Sequence, residues 1–103
     1  MLERNYQSQL IKKLKRMFPN CVVLKNDSDY MPGIPDLLIL YKNKWAMLEV
    51  KASEESSIQP NQEYYVLKLD DMSFASFINP TNEEEVLVDL QHALKPYRST
   101  RLP

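Results

Sequence analysis

Residues 33–51 read GIPDLLILYKNKWAMLEVK and predict a β-hairpin whose open end gathers charged side chains. Two strand-like apolar runs are separated only by the polar residues 42–44, which is the spacing of a hairpin turn. Side chains alternate between the faces of a strand, so Glu49 and Lys51 share one face. Pairing the two runs brings Asp36, which opens the first run, beside Glu49. Two carboxylates next to an ammonium form a group that can bind a divalent metal ion and orient a water molecule.

The same charges also allow a simpler interpretation, in which Glu49 and Lys51 form an ordinary exposed salt bridge. Such a pair contributes little to stability. Here, however, the charges end apolar strands that should be buried, and burying a charge without a partner is costly. The constrained turn at residues 33–35 also fixes the position of Asp36. We therefore favour a functional site over a surface ion pair.

These residues carry a family resemblance. The pattern Gly-x-Pro-Asp at residues 33–36, followed by Glu-x-Lys at residues 49–51, resembles the PD-(D/E)XK nuclease superfamily. More narrowly, the chain is similar to the small stand-alone VRR-NUC nucleases of phages and bacteria. The resemblance extends over residues 3–94, and its motifs are more specific than the bare Asp and Glu-x-Lys pattern because the hairpin between them is short.

The resemblance implies a role for each residue of the motif. Asp36 and Glu49 would bind Mg²⁺ or Mn²⁺, and the backbone carbonyl of Val50 would be a further ligand. Lys51 would position and activate the attacking water. Asp27 and Asp29, in the loop before the motif, could compete as metal ligands, although loop carboxylates are usually only solvated.

The first predicted helix, residues 2–18, supplies two more candidates. At about 100° per residue, Glu3 and Gln7 fall within the apolar stripe of this helix. The family has Glu followed four residues later by Gln in its first helix, which implies that Glu3 is an acidic site residue able to bind the metal and that Gln7 contacts substrate. The alternative for Glu3 is a solvated first-turn residue favoured by the helix dipole. Lys12, on the polar face, is a further candidate substrate contact.

A second predicted helix follows the motif at residues 61–69. Gln62 lies on its apolar face near the N-terminus, where the family has a Gln close to the metal, so it is a candidate catalytic and substrate-binding residue. The alternative is that Gln62 is a capping or surface amide. The loop at residues 27–32 leads into the motif, and we expect Tyr30 in this loop to contact substrate.

The complete order of elements predicts an α/β fold with a restriction-endonuclease-like α-β-β-β-α-β-α core, a mixed central sheet flanked by helices. The predicted bounds are helix 2–18, strands 21–26, 36–41 and 45–51, helix 61–69, strand 73–78 and helix 82–94. Thr81 and Glu84 form a capping-box pattern at the last helix. Residues 1–103 are expected to form a single VRR-NUC-like nuclease domain, in which residues 95–103 are either a flexible basic tail touching phosphate or a frayed end.

Composition adds limits. The 103 residues are 44% hydrophobic and include one cysteine and one histidine, which leaves no internal disulfide and no histidine-cysteine zinc site. A reducing, cytoplasmic setting is expected, in a phage-infected or bacterial cell. No N-terminal signal pattern and no apolar run near the ~20 residues of a membrane span is present, so we expect no membrane partner.

The function that these observations predict is metal-dependent hydrolysis of DNA phosphodiester bonds by an endonuclease. Stand-alone relatives often act as symmetric dimers on branched DNA, so the resemblance implies a homodimer selective for structures such as four-way junctions. The alternatives are a sequence-specific homing or restriction-type nuclease and a non-catalytic DNA-binding module of the same fold. The formal net charge of −1 argues mildly against DNA binding, but metal ligands account for part of the acidity and the basic residues are clustered.

Overall fold

The computed structural model describes residues 1–96, in which three helices and four strands follow one another in the order α-β-β-β-α-β-α. The elements are α1 (Glu3–Met17), β1 (Val22–Lys25), β2 (Leu37–Tyr41), β3 (Lys44–Val50), α2 (Pro60–Met72), β4 (Ala75–Ile78) and α3 (Glu83–Leu94). The predicted element order and α/β class are confirmed. None of the helices in this part of the chain is long and apolar enough to cross a membrane.

The four strands form one mixed sheet in the order β1-β2-β3-β4. The pairs β1–β2 and β2–β3 are antiparallel, and β4 lies parallel to β3. A parallel neighbour needs a crossover connection, which α2 provides. The hairpin turn is shorter than predicted, because Lys44 pairs with Tyr41 and leaves only Lys42 and Asn43 between the strands. Lys42 makes this tight turn possible by adopting a left-handed φ of 56°.

One face of the sheet carries the main hydrophobic core, covered by α1 and α3. The helices contribute leucine and aromatic side chains at helical spacing, and the strands contribute alternate residues of β2 and β3. The fully or almost fully buried members are Tyr6, Leu10, Leu14, Phe18, Leu37, Ile39, Tyr41, Ala46, Leu48, Val50, Ile78, Val86, Leu87, Leu90 and Leu94. Burying a large apolar side chain contributes about 1.5–3 kcal/mol before entropy is counted, so this face provides most of the driving force for folding.

The opposite face of the sheet is covered by α2 over β3 and β4. Val66 and Leu69 of α2 pack with the partly buried side chains of Trp45 and Met47. Glu49 follows Met47 on the same face of β3, because side chains alternate along a strand. The charged residues at the end of β3 therefore lie on the side of the sheet that α2 covers.

Helix α3 begins differently from the prediction. The expected capping box between Thr81 and Glu84 is wrong, because the N-cap residue is Asn82. The preceding turn is instead held by Asn79, whose Oδ1 accepts hydrogen bonds from the backbone N–H groups of Thr81 at 2.8 Å and Asn82 at 2.9 Å. Asn79 therefore holds the turn before α3, and the N-cap residue Asn82 makes no side-chain capping bond to the helix.

The end of α3 is anchored to the core. Lys95, the first residue of the predicted basic tail, donates a hydrogen bond from Nζ to the carbonyl oxygen of Met17 at 2.7 Å. Its ammonium also lies over the rings of Phe18 and Tyr41, at 5.3 and 5.7 Å from their centroids. Residues 97–103 of that tail lie outside the described residues.

Candidate active site

Asp36 and Glu49 are neighbours across the β2–β3 hairpin. Leu37 pairs with Leu48, so the next pair outward along the same register is Asp36 and Glu49. Residues opposite one another in an antiparallel pair point to the same face of the sheet. The Asp36 side chain is also fixed by the backbone, since its Oδ2 accepts a hydrogen bond from the Val50 N–H at 2.8 Å. The predicted convergence of the two carboxylates is therefore present.

The main chain of Asp36 is held by the end of β1. The Asn26 N–H donates to the Asp36 carbonyl oxygen at 2.8 Å, and the Asn26 side-chain Nδ2 donates to the Pro35 carbonyl oxygen at 2.8 Å. These two bonds continue the β1–β2 ladder beyond its last strand pair. They fix the backbone of residues 35–36, independently of the contacts of the Asp36 side chain.

The turn before Asp36 depends on the only glycine in the chain. Gly33 has a φ of 90°, in a region that L side chains rarely adopt. A Cβ at this position would lie 2.8 Å from both backbone and side-chain atoms of Asn61. Gly33 thus lets the loop that carries Asp36 pack closely against the first turn of α2, which carries Gln62.

Lys51 is a buried ammonium with three acceptors around it. Its Nζ donates to the carbonyl oxygen of Ser57 at 3.0 Å and to Oε1 of Gln62 at 2.9 Å. Oε2 of Glu49 lies 3.6 Å from the same nitrogen. Because Lys51 is only 8% exposed, these contacts hold its charge in one position beside the carboxylates.

Gln62 connects the acidic and basic parts of the group. Its Nε2 donates to Oε2 of Glu49 at 3.2 Å, while its Oε1 accepts from Lys51. The same Oε1 accepts the backbone N–H of Gln59 at 3.0 Å, at the N-terminus of α2. The two interpretations of Gln62 are therefore compatible, since it caps the helix and contacts both charged residues.

Burial and like charge make the carboxylate pair costly when both groups are ionised. The pKa of Glu49 is raised to about 7, first by burial and then by the neighbouring charge of Asp36, although Lys51 opposes the shift. Burial also raises the pKa of Asp36, against the Val50 N–H and Lys51, which favour its ionised form. A cation between the two carboxylates would remove this repulsion, so the electrostatics of the pair fit a divalent metal ion.

Glu3 lies close enough to join this electrostatic group, although its side chain is exposed. Burial of the carboxyl group and then the charge of Asp36 raise its pKa, while Lys51 lowers it. The charge of Glu3 in turn raises the pKa of Glu49. Gln7, one helical turn further on, is half-buried. The N-terminus of α1 thus lies near the open end of the hairpin, as the sequence predicted.

Lys12 lies elsewhere. It is nine residues beyond Glu3, about 180° around the helix, and lines a groove between α1 and the start of α3. In that groove Lys13 pairs with Glu83, which also accepts a hydrogen bond from the Tyr6 hydroxyl at 2.8 Å. The structure therefore does not bring Lys12 together with the carboxylate pair.

Tyr30 lies on the loop between β1 and β2 that leads to Asp36. Its side chain is 84% exposed and borders a small pocket with Asn26 and Met47, residues next to Asp36 and Glu49 in the fold. The loop is held by a hydrogen bond from the Asp29 N–H to Oδ1 of Asp27 at 2.8 Å. Tyr30 thus shares a pocket with residues adjacent to Asp36 and Glu49, whereas Lys12 lines a different groove.

The oxygen donors at the site suit a hard divalent cation. Within residues 1–96, no three Asp, Glu, His or Cys side chains are gathered closely enough to form a complete metal cage. Mg²⁺ does not require one, because it usually binds through one or two carboxylates and keeps several waters and substrate oxygens. Asp36, Glu49 and the carbonyl of Val50 are oxygen donors of the right kind, so the residues present fit such an ion.

Two contributors to the site were not predicted. The Ser57 carbonyl binds the Lys51 ammonium, and Asn26 fixes the backbone of residues 35–36. A backbone carbonyl has no side-chain signal in a sequence. Asn26 is the last residue of the predicted strand 21–26, and this position is the one cue that could have identified it.

No family model, curated protein or solved structure matches the chain.

Proposed function

We propose that this protein is a metal-dependent DNA endonuclease that hydrolyses phosphodiester bonds with Mg²⁺ or Mn²⁺, in the manner of the PD-(D/E)XK superfamily and its VRR-NUC nucleases. One observation carries the proposal: Asp36 and Glu49 converge across a hairpin, with the Lys51 ammonium 3.6 Å from Glu49. An ordinary surface ion pair has none of the three features seen here: a second carboxylate at Asp36, burial of both Glu49 and Lys51, and the Gln62 amide bonded to both of them.

The resemblance to the family implies a role for each residue, and the contacts are compatible with those roles. Asp36 and Glu49 would hold the metal with the Val50 carbonyl, and Glu3 would add negative charge at the rim. When bound, the metal lowers the pKa of a water molecule and polarises the phosphate. Glu49 is held by Gln62 at 3.2 Å, so its free oxygen keeps a fixed direction.

Lys51 would act as a donor. Its N–H groups face Ser57, Gln62 and Glu49, so the ammonium is oriented before substrate arrives. A fixed positive charge beside the metal stabilises the charge that builds up on the phosphate and orients the attacking water. Gln62 supports this arrangement from α2, and Gln7, one turn after Glu3 on α1, would contact the DNA as the resemblance implies.

We further propose selectivity for branched DNA and action as a homodimer. The described chain has one set of Asp36, Glu49 and Lys51, so paired cuts in two strands take two copies. A two-fold dimer would present both sets with matching geometry to a junction that has the same symmetry. Sedimentation of the protein alone and with a four-way junction tests this: two copies per junction support the dimer, and one copy contradicts it.

The decisive experiment compares cleavage of a labelled four-way junction and its matching linear duplex with Mg²⁺, Mn²⁺ or EDTA. Asp36→Asn and Glu49→Gln should abolish cutting, whereas Asp71→Asn, at an exposed position of α2, should leave it unchanged. Cutting of the junction alone supports structure selectivity, and cutting of both identifies a general nuclease. Binding without cutting in any metal would instead indicate a non-catalytic DNA-binding module.

A further inference from the structure

A small pocket lies beside the carboxylate pair and has no role in the chemistry described so far. It has a volume of about 220 Å³ and is lined by Asn26, Asp27, Tyr30, Met31, Ile34 and Met47. Most of its lining is apolar, which distinguishes it from the charged centre next to it. Drug-sized ligands usually occupy pockets of roughly 300–1,000 Å³, so this pocket is large enough only for a smaller group such as one planar ring system.

The pocket is connected to the proposed cleavage centre through β3 and through the loop that precedes β2. Met47 precedes Glu49 by two residues on the same face of β3, a separation of about 7 Å along a strand. In the loop before β2, Ile34 precedes Asp36 by two residues, and Asn26 is bonded to the backbone of Asp36. A phosphate at the carboxylates would therefore place its attached nucleoside within reach of the pocket.

Tyr30 gives the pocket a flat aromatic wall that is open to a ligand. Its side chain is 84% exposed, which is unusual for a large aromatic residue in an ordered loop. The loop is fixed on both sides of Tyr30, by the Met31 N–H donating to the Asp27 carbonyl at 3.2 Å and the Ile34 N–H donating to the Met31 carbonyl at 3.1 Å. An exposed ring on a held backbone is suited to stacking on another ring.

The side chains of Asn26 and Asp27 can supply hydrogen-bond acceptors to the pocket. Asn26 commits Nδ2 to the Pro35 carbonyl, so its Oδ1 is the end left for a ligand. No buried side-chain oxygen or nitrogen lacks a partner in residues 1–96, and no donor contacts this Oδ1, so it reaches the surface. Asp27 adds a carboxylate. Acceptors beside an aromatic wall match the N–H and amino groups on the edge of a nucleobase.

We propose that this pocket binds one unpaired nucleobase of the DNA substrate, stacked on Tyr30, with its amino edge toward Asn26. The proposal rests on the function proposed above and specifies its substrate: DNA with an unstacked nucleotide next to the cleaved bond. A paired base cannot enter, because its edge and both faces are occupied in the duplex. Branch points and single-stranded ends supply such a base at little cost, which gives a physical reason for structure selectivity.

The test uses 2-aminopurine, a fluorescent base whose emission falls when it stacks on an aromatic ring. Branched DNA carries it as an unpaired nucleotide at the branch point, and the full chain is titrated with Ca²⁺ in place of Mg²⁺. Wild-type protein should quench the probe. Tyr30→Ala should lose the quenching and bind this DNA about 5- to 100-fold more weakly, whereas Tyr30→Trp should retain both. Tyr64→Ala, which removes a 57% exposed tyrosine from α2, is the matched control and should behave as wild type.

Two results separate this inference from the function on which it rests. If metal-dependent cutting occurs and depends on Asp36, but Tyr30→Ala quenches the probe and binds as wild type does, the nucleobase pocket is wrong and the nuclease stands. If the protein neither cuts nor binds any DNA, the proposed function fails and the pocket proposal fails with it. Equal affinity of wild-type protein for fully paired duplex and for branched DNA also overturns the pocket.

Discussion

At the scale of single residues, Glu49 is where burial and function oppose each other most strongly. Its side chain is 3% exposed, yet it lies beside a second carboxylate. Its pKa of about 7 in the folded protein lies above the ordinary value of 4.5. Between these pH values the folded protein keeps a proton that the unfolded chain has released, so stability falls as the pH rises through this window.

We therefore expect the metal-free protein to lose about 2–3 kcal/mol of unfolding free energy between pH 4.5 and pH 7.5. Glu49→Gln should remove most of this dependence and be the more stable protein at pH 8. Urea unfolding in EDTA at several pH values measures it, with Glu55→Gln in an exposed loop as the control. If the stability of wild type and of Glu49→Gln changes with pH in the same way, the raised pKa does not belong to Glu49. Mg²⁺ should stabilise wild type more at pH 8 than at pH 5.

Gly33 is the second residue that decides the geometry of the site. Alanine would have to adopt a φ of 90° and would place its Cβ 2.8 Å from Asn61, so the loop or α2 must move. Gly33→Ala should cost about 1–3 kcal/mol of stability and reduce cleavage, because Asp36 follows three residues later. Thermal unfolding measures the first effect. Ser28→Ala, exposed in the same loop, should change neither, and an unchanged melting temperature for Gly33→Ala would show that the turn tolerates a side chain.

At the scale of elements, α2 links the stability of the fold to the arrangement of the site. Gln62 accepts the Gln59 N–H at the start of the helix and bridges Glu49 to Lys51. Gln62→Ala should therefore cost about 1 kcal/mol as a lost cap and also slow cleavage by about 10-fold or more through misplacement of Lys51. Gln59→Ala, exposed at the helix start, keeps the backbone donor and should cleave normally. Cleavage by Gln62→Ala at the wild-type rate would limit Gln62 to capping.

The elements themselves were predictable because their periodicity is strong. The apolar stripe of α1 and the alternation in β3 each agree with one buried face. The hairpin register was less predictable, because the turn has two residues, Lys42 and Asn43, and not the three that the apolar pattern indicated. Helix α2 runs to Met72 and not to residue 69, because no Gly or Pro follows Leu69. The helix ends where the backbone N–H of Ser73 donates to the carbonyl oxygen of Leu69. Boundaries of this kind depend on the last hydrogen bonds, which the apolar pattern does not report.

Contacts between elements that are distant in the chain could not be predicted from the sequence. Glu83 bonds to Tyr6 and Lys13, about seventy residues away, and nothing in the composition of α1 or α3 indicates that pairing. The side of the sheet that α2 covers was likewise not determined by its pattern. Within the site, the motif predicted that Asp36 and Glu49 would converge. The contact of the Ser57 carbonyl with Lys51 and the bonds from Asn26 to residues 35–36 are seen only in the folded structure.

At the scale of the whole molecule, charge decides how the protein would meet DNA. The chain has a formal net charge of −1, and the candidate site adds to the repulsion because Glu3, Asp36 and Glu49 lie near one another. Phosphate approaching this region without metal meets negative charge at short range, where salt screens it poorly. A divalent ion reverses the local sign, so metal should govern binding as well as chemistry.

We therefore expect wild-type protein to bind branched DNA about 10-fold more tightly with Ca²⁺ than with EDTA at pH 8. The double variant Asp36→Asn with Glu49→Gln removes two negative charges and takes the formal net charge from −1 to +1. It should bind DNA more tightly than wild type in EDTA and respond little to Ca²⁺. Fluorescence anisotropy at constant ionic strength measures both, with Asp70→Asn and Asp71→Asn together as a control of equal charge. If that control gains as much affinity as the site variant, total charge and not the carboxylate pair sets DNA binding.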